Sequence, residues 1–531
     1  MKSGPVLLIG LDAADLTRIE RLAASGDMPN LAAILRHSVR GHLCSRPTGL
    51  SAMIWPKWFE GGHAGSWYFP KAWNPDRMCL EWVTATGGDP EPFWCDLDRR
   101  GLRVCVVDVP QAPVRPLQNG ILIQGWQVHD LFKRASAPAG LWKELIRACG
   151  TPFLDGERYG PQTAERLRAL RERLLAATAQ AGDLAHELMN RGPWDLFVMV
   201  LGGLHRGGHY LWDTGQVDID DLSADDRRLL ENGLDDIYRT ADRSIGKLLD
   251  RAPSDARVMV FSLHGMGPNN GWPERLQSVA AAVASRTSAP GRVTSLQRLK
   301  RAIPADAAQH IMDLLPPAWS ERLLQFTSSR MHDWPRTAWF VLPSDLSGFL
   351  RLNLQGREAR GIVAPGAEAR ALEDELIGLF SRLEDLEGRR IVAEIERVDD
   401  SVAARDRFRR YLPDLLLLWE QISTSDTAGL RVEGREIIRW PLGQRFDSGR
   451  SGNHVTQGWF AAVGPGLVPG NDEALHDIDG LVPSVYGWLG LKPPAQFVGT
   501  VLESLSTSPA PDAAHSAVAR LIQLDSASAT T

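Results

Sequence analysis

Two histidines, His205 and His209, lie four residues apart directly after the apolar run at 196–201. The run predicts a buried strand, and the glycines around the two histidines predict a turn at its end. Imidazole binds transition metals and can also move a proton near neutral pH. A strand that ends in this turn would place both imidazoles at the carboxyl edge of a sheet, where open α/β folds bind their ligands.

Three further residues of metal-ligand type also border predicted strands. Asp12 ends the first apolar run, His264 follows the run at 258–262, and His454 precedes the run at 459–463. A single histidine at a strand end is more often a hydrogen-bonded loop residue than a ligand. Four such places along the chain nevertheless favour one metal site assembled from distant segments.

The elements that must position these residues alternate between strand and helix. The apolar runs and the helical periodicity predict strands at 6–11, 103–109, 196–201, 258–262 and 459–463, and helices from 16, from 28, over 163–190 and over 223–251. This alternation predicts an α/β fold with a mostly parallel central sheet and helices on both faces. Residues 268–335 interrupt this alternation of strands and helices, and their composition predicts a helical cap insertion. We also expect a lid loop at 66–95 and a partly disordered Ser/Ala-rich tail at 505–531.

Composition excludes several classes of protein. The net charge of −6, with mixed signs along the 531 residues, does not call for nucleic acid. The odd number of cysteines, five, and the absence of CxxC spacing predict reduced thiols. Since neither a signal peptide nor a membrane span is apparent, we expect a cytoplasmic protein without a membrane partner. The 18 tryptophans indicate packing, or alternatively an aromatic-lined cavity.

Seven groups of residues carry motifs in a fixed order along the chain. They are Gly10-Leu-Asp-Ala13, Met28-Pro-Asn-Leu31, Pro47-Thr-Gly-Leu-Ser-Ala-Met-Ile-Trp55, the stretch from Trp194 to His209, Ser262-Leu-His-Gly-Met-Gly267, Asp333-Trp-Pro-Arg-Thr337 with 354–363, and Gly452-Asn-His-Val-Thr-Gln-Gly458 with Gly464-Pro-Gly466. In this order they resemble the bacterial branch of the type I phosphodiesterase/nucleotide pyrophosphatase family, in the alkaline phosphatase superfamily. The resemblance covers roughly residues 4–500.

The resemblance implies an alkaline-phosphatase-like fold in which 1–267 and 336–504 form the catalytic core. It also implies a two-metal site whose ions lie on opposite sides of a transferred phosphoryl group. Ser51 stands at the nucleophile position, although alone it would also suit a helix N-cap. The implied substrate is a small anionic ester.

Two positions depart from the family's pattern, and each loses a carboxylate. His205 and Leu263 both stand where the family has Asp. The implied ligands become Asp12, Ser51 and His264 on one side, and His205, His209 and His454 on the other. Three imidazoles suit Zn best, with Fe, Mn or Ni as alternatives, and one or two ions per chain are expected.

Three hypotheses about function follow from this pattern. The favoured one is a metal-dependent phosphodiester or phosphomonoester hydrolase, or a phosphoryl transferase, with Ser51 as nucleophile. The alternatives are an enzyme of another class built on a single three-histidine site, and a non-catalytic ligand-binding relative. Arg206 is a candidate contact for an anionic substrate, or else a surface ion pair. The identity of the substrate and the oligomeric state stay open.

Overall fold

A computed structural model describes residues 4–45, 54–61, 71–82, 91–127, 134–152, 160–217, 222–284, 314–315, 317–401 and 409–507. Within these ranges the strands are β1 (Val6–Leu11), β2 (Val39–Cys44), β3 (Lys71–Asn74), β4 (Cys79–Trp82), β5 (Val104–Val107), β6 (Ile121–Gln124), β7 (Ala135–Ala137), β8 (Leu196–Leu201), β9 (Arg257–Ser262), β10 (Gly265–Pro268), β11 (Trp339–Leu342), β12 (Gly348–Leu352), β13 (Leu383–Asp385), β14 (Val392–Arg397), β15 (Leu415–Trp419), β16 (Gly429–Val432), β17 (Arg435–Arg439), β18 (Gly452–Val455), β19 (Gly458–Val463) and β20 (Gly470–Asp477).

The α-helices in the same ranges are α1 (Leu16–Ala24), α2 (Pro29–His37), α3 (Ile54–Glu60), α4 (Phe93–Arg99), α5 (Leu141–Cys149), α6 (Ala164–Met189), α7 (Gly203–Leu211), α8 (Ala224–Glu231), α9 (Gly233–Leu249), α10 (Trp272–Ala284), α11 (Pro317–Ser329), α12 (Ala367–Phe380), α13 (Val398–Ser401) and α14 (Leu481–Trp488). Short 3-10 turns occupy Thr214–Gln216, Trp334–Arg336, Arg409–Tyr411, Thr424–Asp426, Ile478–Gly480 and Glu503–Leu505. None of the described helices has the length and apolar character needed to cross a bilayer.

The central sheet has nine strands in the order β20-β2-β19-β9-β1-β8-β5-β6-β7. The strands from β9 to β6 run parallel to one another, whereas β19 and β7 are antiparallel to their neighbours. The predicted mostly parallel sheet is therefore confirmed. Because β19 is antiparallel to β9, its first residues lie beside the carboxyl end of β9, where Trp459 pairs with Ser262.

Helices cover both faces of this sheet, as the apolar strands require. On β1, Leu7 and Ile9 pack in a core with residues of α1, α2, α6, α7 and α9, and Val6 and Leu8 pack on the opposite face with residues of α3, α4 and α14. Three tryptophans illustrate the second core: Trp55, Trp58 and Trp94 are all buried there. This position supports the packing interpretation of the high tryptophan content.

The predicted core region 336–504 contains strands that do not join the central sheet. The strands from Trp339 to Arg439 form two sheets of their own, β11-β12-β15-β14 and β13-β16-β17, with a core shared with α10 and α12. The predicted division assigns residues 336–504 to the catalytic core. Of the strands described in this region, β19 and β20 belong to the central sheet.

Other predicted segments differ in smaller ways. The helix predicted over 223–251 is two helices, α8 and α9, which meet at Asn232 and Gly233. In the predicted lid loop, 71–82 form the hairpin β3–β4, while 66–70 and 83–90 lie outside the described residues. The same holds for most of the Ser/Ala-rich tail, from residue 508 onward.

Candidate metal centre

Three neighbouring parallel strands deliver side chains to one edge of the sheet. Strand β1 lies between β8 and β9, and its residue Leu11 pairs with Leu201. The next residue, Asp12, continues the ladder by donating its backbone N–H to the Leu201 carbonyl at 3.2 Å. His264 follows β9 at the same edge. The carboxyl ends of these strands therefore meet, as the sequence predicted.

The two histidines after β8 lie on a helix rather than in the predicted turn. In α7, His205 and His209 are one turn apart, so their rings share a face. Glycine lowers helix stability by about 1 kcal/mol relative to alanine, which is why the sequence indicated a turn. The packing explains the glycine at the helix start: a Cβ on Gly203 would lie 2.3 Å from Thr178 Oγ1 of α6. Close helix packing overrides local propensity here.

The two-stranded ribbon β10–β18 carries the third histidine to the same place. His454 pairs with Met266, just after β9. Gly452, at the start of β18, accepts a hydrogen bond from His209 Nδ1 at 3.0 Å. A Cβ on Gly452 would lie 2.1 Å from the carbonyl oxygen of Gly208, so only glycine allows this contact between ribbon and helix.

The rings of His205, His209 and His454 point their Nε2 atoms at one another. His205 Nε2 lies 2.9 Å from His209 Nε2 and 2.9 Å from His454 Nε2. One nitrogen from each ring can be chosen so that all three lie within 4.8 Å of one another. His209 is fully buried and the other two are half-buried, which shields the group from bulk water.

Acceptors on the opposite side of two rings determine which nitrogen carries the proton. Asp12 Oδ2 lies 2.8 Å from His205 Nδ1, and the Gly452 carbonyl lies 3.0 Å from His209 Nδ1. A carboxylate and a carbonyl only accept, so both Nδ1 atoms must donate. In the neutral rings this leaves a lone pair on each Nε2.

Those lone pairs make the cluster suited to a cation. Two Nε2 acceptors 2.9 Å apart repel each other unless a positive charge lies between them. Zn–N bonds of about 2.0–2.1 Å would place imidazole nitrogens roughly 3.3 Å apart, so a movement of the rings by a few tenths of an ångström would accommodate the ion. His205, His209 and His454 therefore fit a transition metal held by nitrogen. Histidine–metal sites in proteins also commonly have the hydrogen-bonded Nδ1 seen for His205 and His209.

Asp12 contacts the cluster from its outer side. Its Oδ2 accepts from His205 and its Oδ1 accepts from Trp55 Nε1 at 2.9 Å. The side chain is buried. Burial alone would raise the pKa of Asp12, but the adjacent His205 and the two hydrogen bonds hold it well below its usual range. Asp12 is therefore an ionised carboxylate at neutral pH.

His264 adjoins the trio without joining it. Its ring centroid lies 4.7 Å from that of His454, edge to face, and 6.4 Å from that of His205. Its Nδ1 is buried and has no hydrogen-bond partner among the described residues. Burial lowers the pKa of His264 to about 4, so the ring is neutral at pH 7. The preceding residue, Leu263, is buried in the same apolar core as Trp55.

The side chain of Ser262 links the backbone segments that follow β1 and β9. Ser262 Oγ accepts from the Ala14 backbone N–H at 3.0 Å. It also lies 2.6 Å from the Leu11 carbonyl and 2.7 Å from the His264 carbonyl, either of which can accept its proton. Ala13, between the end of β1 and the Ala14 N–H that Ser262 binds, has a positive φ of 54°. Such backbone strain is maintained where the surrounding contacts fix the loop.

Sequence reasoning missed two side chains at this site. Trp55 had been assigned only to the nucleophile motif, and its indole N–H contact with Asp12 has no signal in the sequence. Asp345, between β11 and β12, comes from the separate sheets: its Oδ2 lies 3.8 Å from His454 Nδ1, and its Oδ1 pairs with Arg450 at 2.8 Å. Neither residue stands beside a predicted strand of the central sheet.

The other predicted site residues have different outcomes. Ser51 lies outside the described residues, three positions before α3. Arg206 is buried on α7, and its contact with an anionic substrate stays a prediction. Asp15, three residues after Asp12, caps α1 by accepting from the Thr17 N–H at 3.0 Å.

The family model for type I phosphodiesterase/nucleotide pyrophosphatase matches residues 62–374, more than half of the chain. The chain belongs to this family. Membership confirms the resemblance and the prediction of an enzyme of the alkaline phosphatase superfamily, and it supports phosphoester hydrolase activity. The match includes His205, His209 and His264, while Asp12, Ser51 and His454 lie outside it. A search of curated proteins finds no match.

Several solved structures resemble the chain at low sequence identity. Phosphonoacetate hydrolase from Sinorhizobium meliloti 1021, in complex with phosphonoformate, has 13% identity and a TM-score of 0.41, covering 98% of this chain and 95% of that one. Murine ectonucleotide pyrophosphatase/phosphodiesterase 5, in complex with AMP, has 12% identity and a TM-score of 0.42, covering 92% and 96%. The alkaline phosphatase PafA has 12% identity and a TM-score of 0.47, covering 95% and 99%.

Proposed function

We propose that this protein is a metal-dependent phosphoester hydrolase, or a phosphoryl transferase, whose metal is held by His205, His209 and His454. The observation that carries the proposal is the convergence of three Nε2 atoms, with two rings held from behind by acceptors. Family membership supplies the reaction class. The expected substrate is a small phosphodiester or phosphomonoester.

Zinc suits this set of ligands best. Three neutral imidazoles with an open position are a known zinc arrangement, and Fe, Mn or Ni are the alternatives. When bound, the cation would supply positive charge that polarises a phosphoryl oxygen. The site would hold a hard ion such as Mg²⁺ poorly, because that ion prefers oxygen ligands.

Ser51 is the proposed nucleophile. Its Oγ would form a bond to phosphorus as the bond to the leaving alcohol oxygen breaks, and the hydroxyl proton would pass to that oxygen. Water would then attack phosphorus, the Ser51–phosphorus bond would break, and a proton would return to the serine. An alcohol in place of water would give a transferase. Arg206 is proposed to attract the anionic ester.

A second candidate function is an enzyme of another reaction class that uses one metal ion. Leu263 favours it, because a buried leucine stands where the family has a carboxylate ligand. The engagement of both Asp12 oxygens by Trp55 and His205 also favours it. Both observations reduce the ligands left for a second ion.

Metal content and ester hydrolysis, measured on the same protein, test the proposal. The chain would be purified without chelator, its metals determined by plasma mass spectrometry, and hydrolysis of p-nitrophenyl and bis-p-nitrophenyl phosphate measured before and after zinc addition. We expect Ser51→Ala to abolish hydrolysis and retain the metal, because the histidines are intact. His209→Ala should lose both. His37→Ala, an exposed histidine at the end of α2, is the matched control and should retain both.

Each possible result separates the candidates. A protein that binds no transition metal overturns the metal centre. Full hydrolysis by Ser51→Ala overturns the nucleophile assignment. One equivalent of metal with no hydrolysis of either ester would favour the second candidate over the first.

A further inference from the structure

The Asp12 carboxylate has both of its oxygens in use. Oδ1 accepts from Trp55 Nε1 at 2.9 Å, and Oδ2 accepts from His205 Nδ1 at 2.8 Å. Its side chain is only 4% exposed. Both contacts approach the carboxylate from N–H donors, which an ionised carboxylate accepts well. Asp12 therefore faces the outer nitrogen of His205, while the inner nitrogen of the same ring faces the other two histidines.

We infer that Asp12 is a positioning residue for His205 rather than a metal ligand, with Trp55 fixing the carboxylate in place. This inference rests on the three-histidine metal centre of the proposed function, though not on the reaction. A carboxylate behind a ligating histidine fixes the tautomer and the ring orientation, and its removal typically weakens metal binding. The arrangement gives one metal ion per chain.

The chemistry of asparagine makes the inference testable. Asn offers one accepting oxygen and one donating NH₂ group, whereas Asp offers two acceptors. In Asp12→Asn, the indole N–H of Trp55 and the Nδ1–H of His205 compete for that one oxygen. If Trp55 takes it, the NH₂ group faces His205 and favours the tautomer protonated on Nε2. That tautomer has no lone pair toward the metal.

Removing the indole N–H should relieve this competition. In the double variant Asp12→Asn/Trp55→Phe, the asparagine oxygen is free to face His205 and restores its metal-binding tautomer. A direct ligand would behave differently, because the lost charge at Asp12 would weaken metal binding whatever residue stands at 55. The dependence on Trp55 therefore separates the two roles.

The experiment is zinc affinity, measured by competition with a chromophoric chelator, together with metal stoichiometry. We expect Asp12→Asn to bind zinc about 10- to 100-fold more weakly than wild type, still with one site. In the Trp55→Phe background, the same substitution should cost less than about tenfold. Trp58→Phe is the matched control, since Trp58 lies in the same helix and core, and combining it with Asp12→Asn should give no recovery.

Cobalt(II) spectra give a second readout that does not depend on activity. At saturating cobalt, the d–d bands of wild type and Asp12→Asn should match if Asp12 is not a ligand. A changed spectrum, a fall from two metal equivalents to one, or an equal loss of affinity with and without Trp55 would overturn the inference alone. A wild-type chain that binds no metal would overturn the proposed function and the inference together.

Discussion

Replacing Leu263 with aspartate tests how far the second metal site has been remodelled. From the family pattern alone, Leu263→Asp restores a missing ligand and should add a metal ion. The packing predicts the opposite. Leu263 is fully buried among apolar side chains, and the carboxylate of Asp12 already binds Trp55 and His205. We therefore expect destabilisation and an unchanged metal stoichiometry.

The magnitude of that destabilisation follows from two contributions. Truncating a buried leucine costs about 2–5 kcal/mol. Placing a carboxyl group in the same apolar space adds roughly 1–3 kcal/mol when no hydrogen-bond partner compensates. The sum is a large part of a typical free energy of unfolding, about 5–15 kcal/mol. Leu263→Asn removes the same apolar contacts without an ionisable group and serves as the control.

Denaturant unfolding in the presence of chelator, at two pH values, isolates the effect of the charge. Burial should raise the pKa of the new carboxyl group above its unfolded value of about 3.9. Its contribution is then most favourable below pH 4 and is lost as pH rises through the folded pKa. The aspartate variant should therefore lose stability between pH 5 and 8 relative to the asparagine variant.

Adding zinc completes the test. Ligand binding to the folded state stabilises it by about 2.7 kcal/mol at a ligand concentration 100 times the dissociation constant. If Leu263→Asp gained a second bound zinc ion and a correspondingly larger zinc-dependent stabilisation than wild type, the pocket would still be organised for two metals. That result would refute the packing argument.

Three further outcomes are expected. Gly452→Ala should lose the metal, because a Cβ at position 452 would clash with the Gly208 carbonyl. Gly470→Ala should keep it, because a Cβ there has no atom within 4 Å, and metal analysis of both variants is the test. Asp414→Asn should lower the free energy of unfolding by about 3–5 kcal/mol at pH 7, since it removes the buried carboxylate that pairs with both Arg357 and Arg409. Arg357 holds the pKa of Asp414 below its usual range against the effect of burial, so wild type should lose this stability as pH falls below about 4, as acid unfolding will show.

The sequence predicted most of the elements that build the site. The strand at 196–201 and the helix beginning at residue 16 match the structure, because apolar runs and cap residues are local signals. The turn predicted around His205 was wrong, since the glycines that indicate a turn serve helix packing instead. Local propensity cannot report a contact with a helix that lies far away in sequence.

The arrangement of the ligands was less predictable than their identity. The sequence grouped Asp12 with His264, whereas the structure brings Asp12 to His205. The family pattern shows which sequence positions supply ligands. It does not show which side chain Asp12 binds when a histidine, His205, replaces the aspartate beside it. Trp55 illustrates the same limit, because its role depends on an indole N–H reaching a strand 43 residues away in sequence.

The charge at the site links the two departures from the family pattern. His205 and Leu263 together leave Asp12 hydrogen-bonded to the trio, while Asp345 lies farther away, 3.8 Å from His454 Nδ1, and pairs with Arg450. One divalent cation with neutral imidazoles and Asp12 carries a net charge of about +1, which favours an anionic ester. Two divalent cations at the same edge would repel each other with little carboxylate between them. The loss of two carboxylates therefore agrees with the loss of one metal ion. Asp12 would then serve the single remaining ion by holding His205 in the tautomer that binds it.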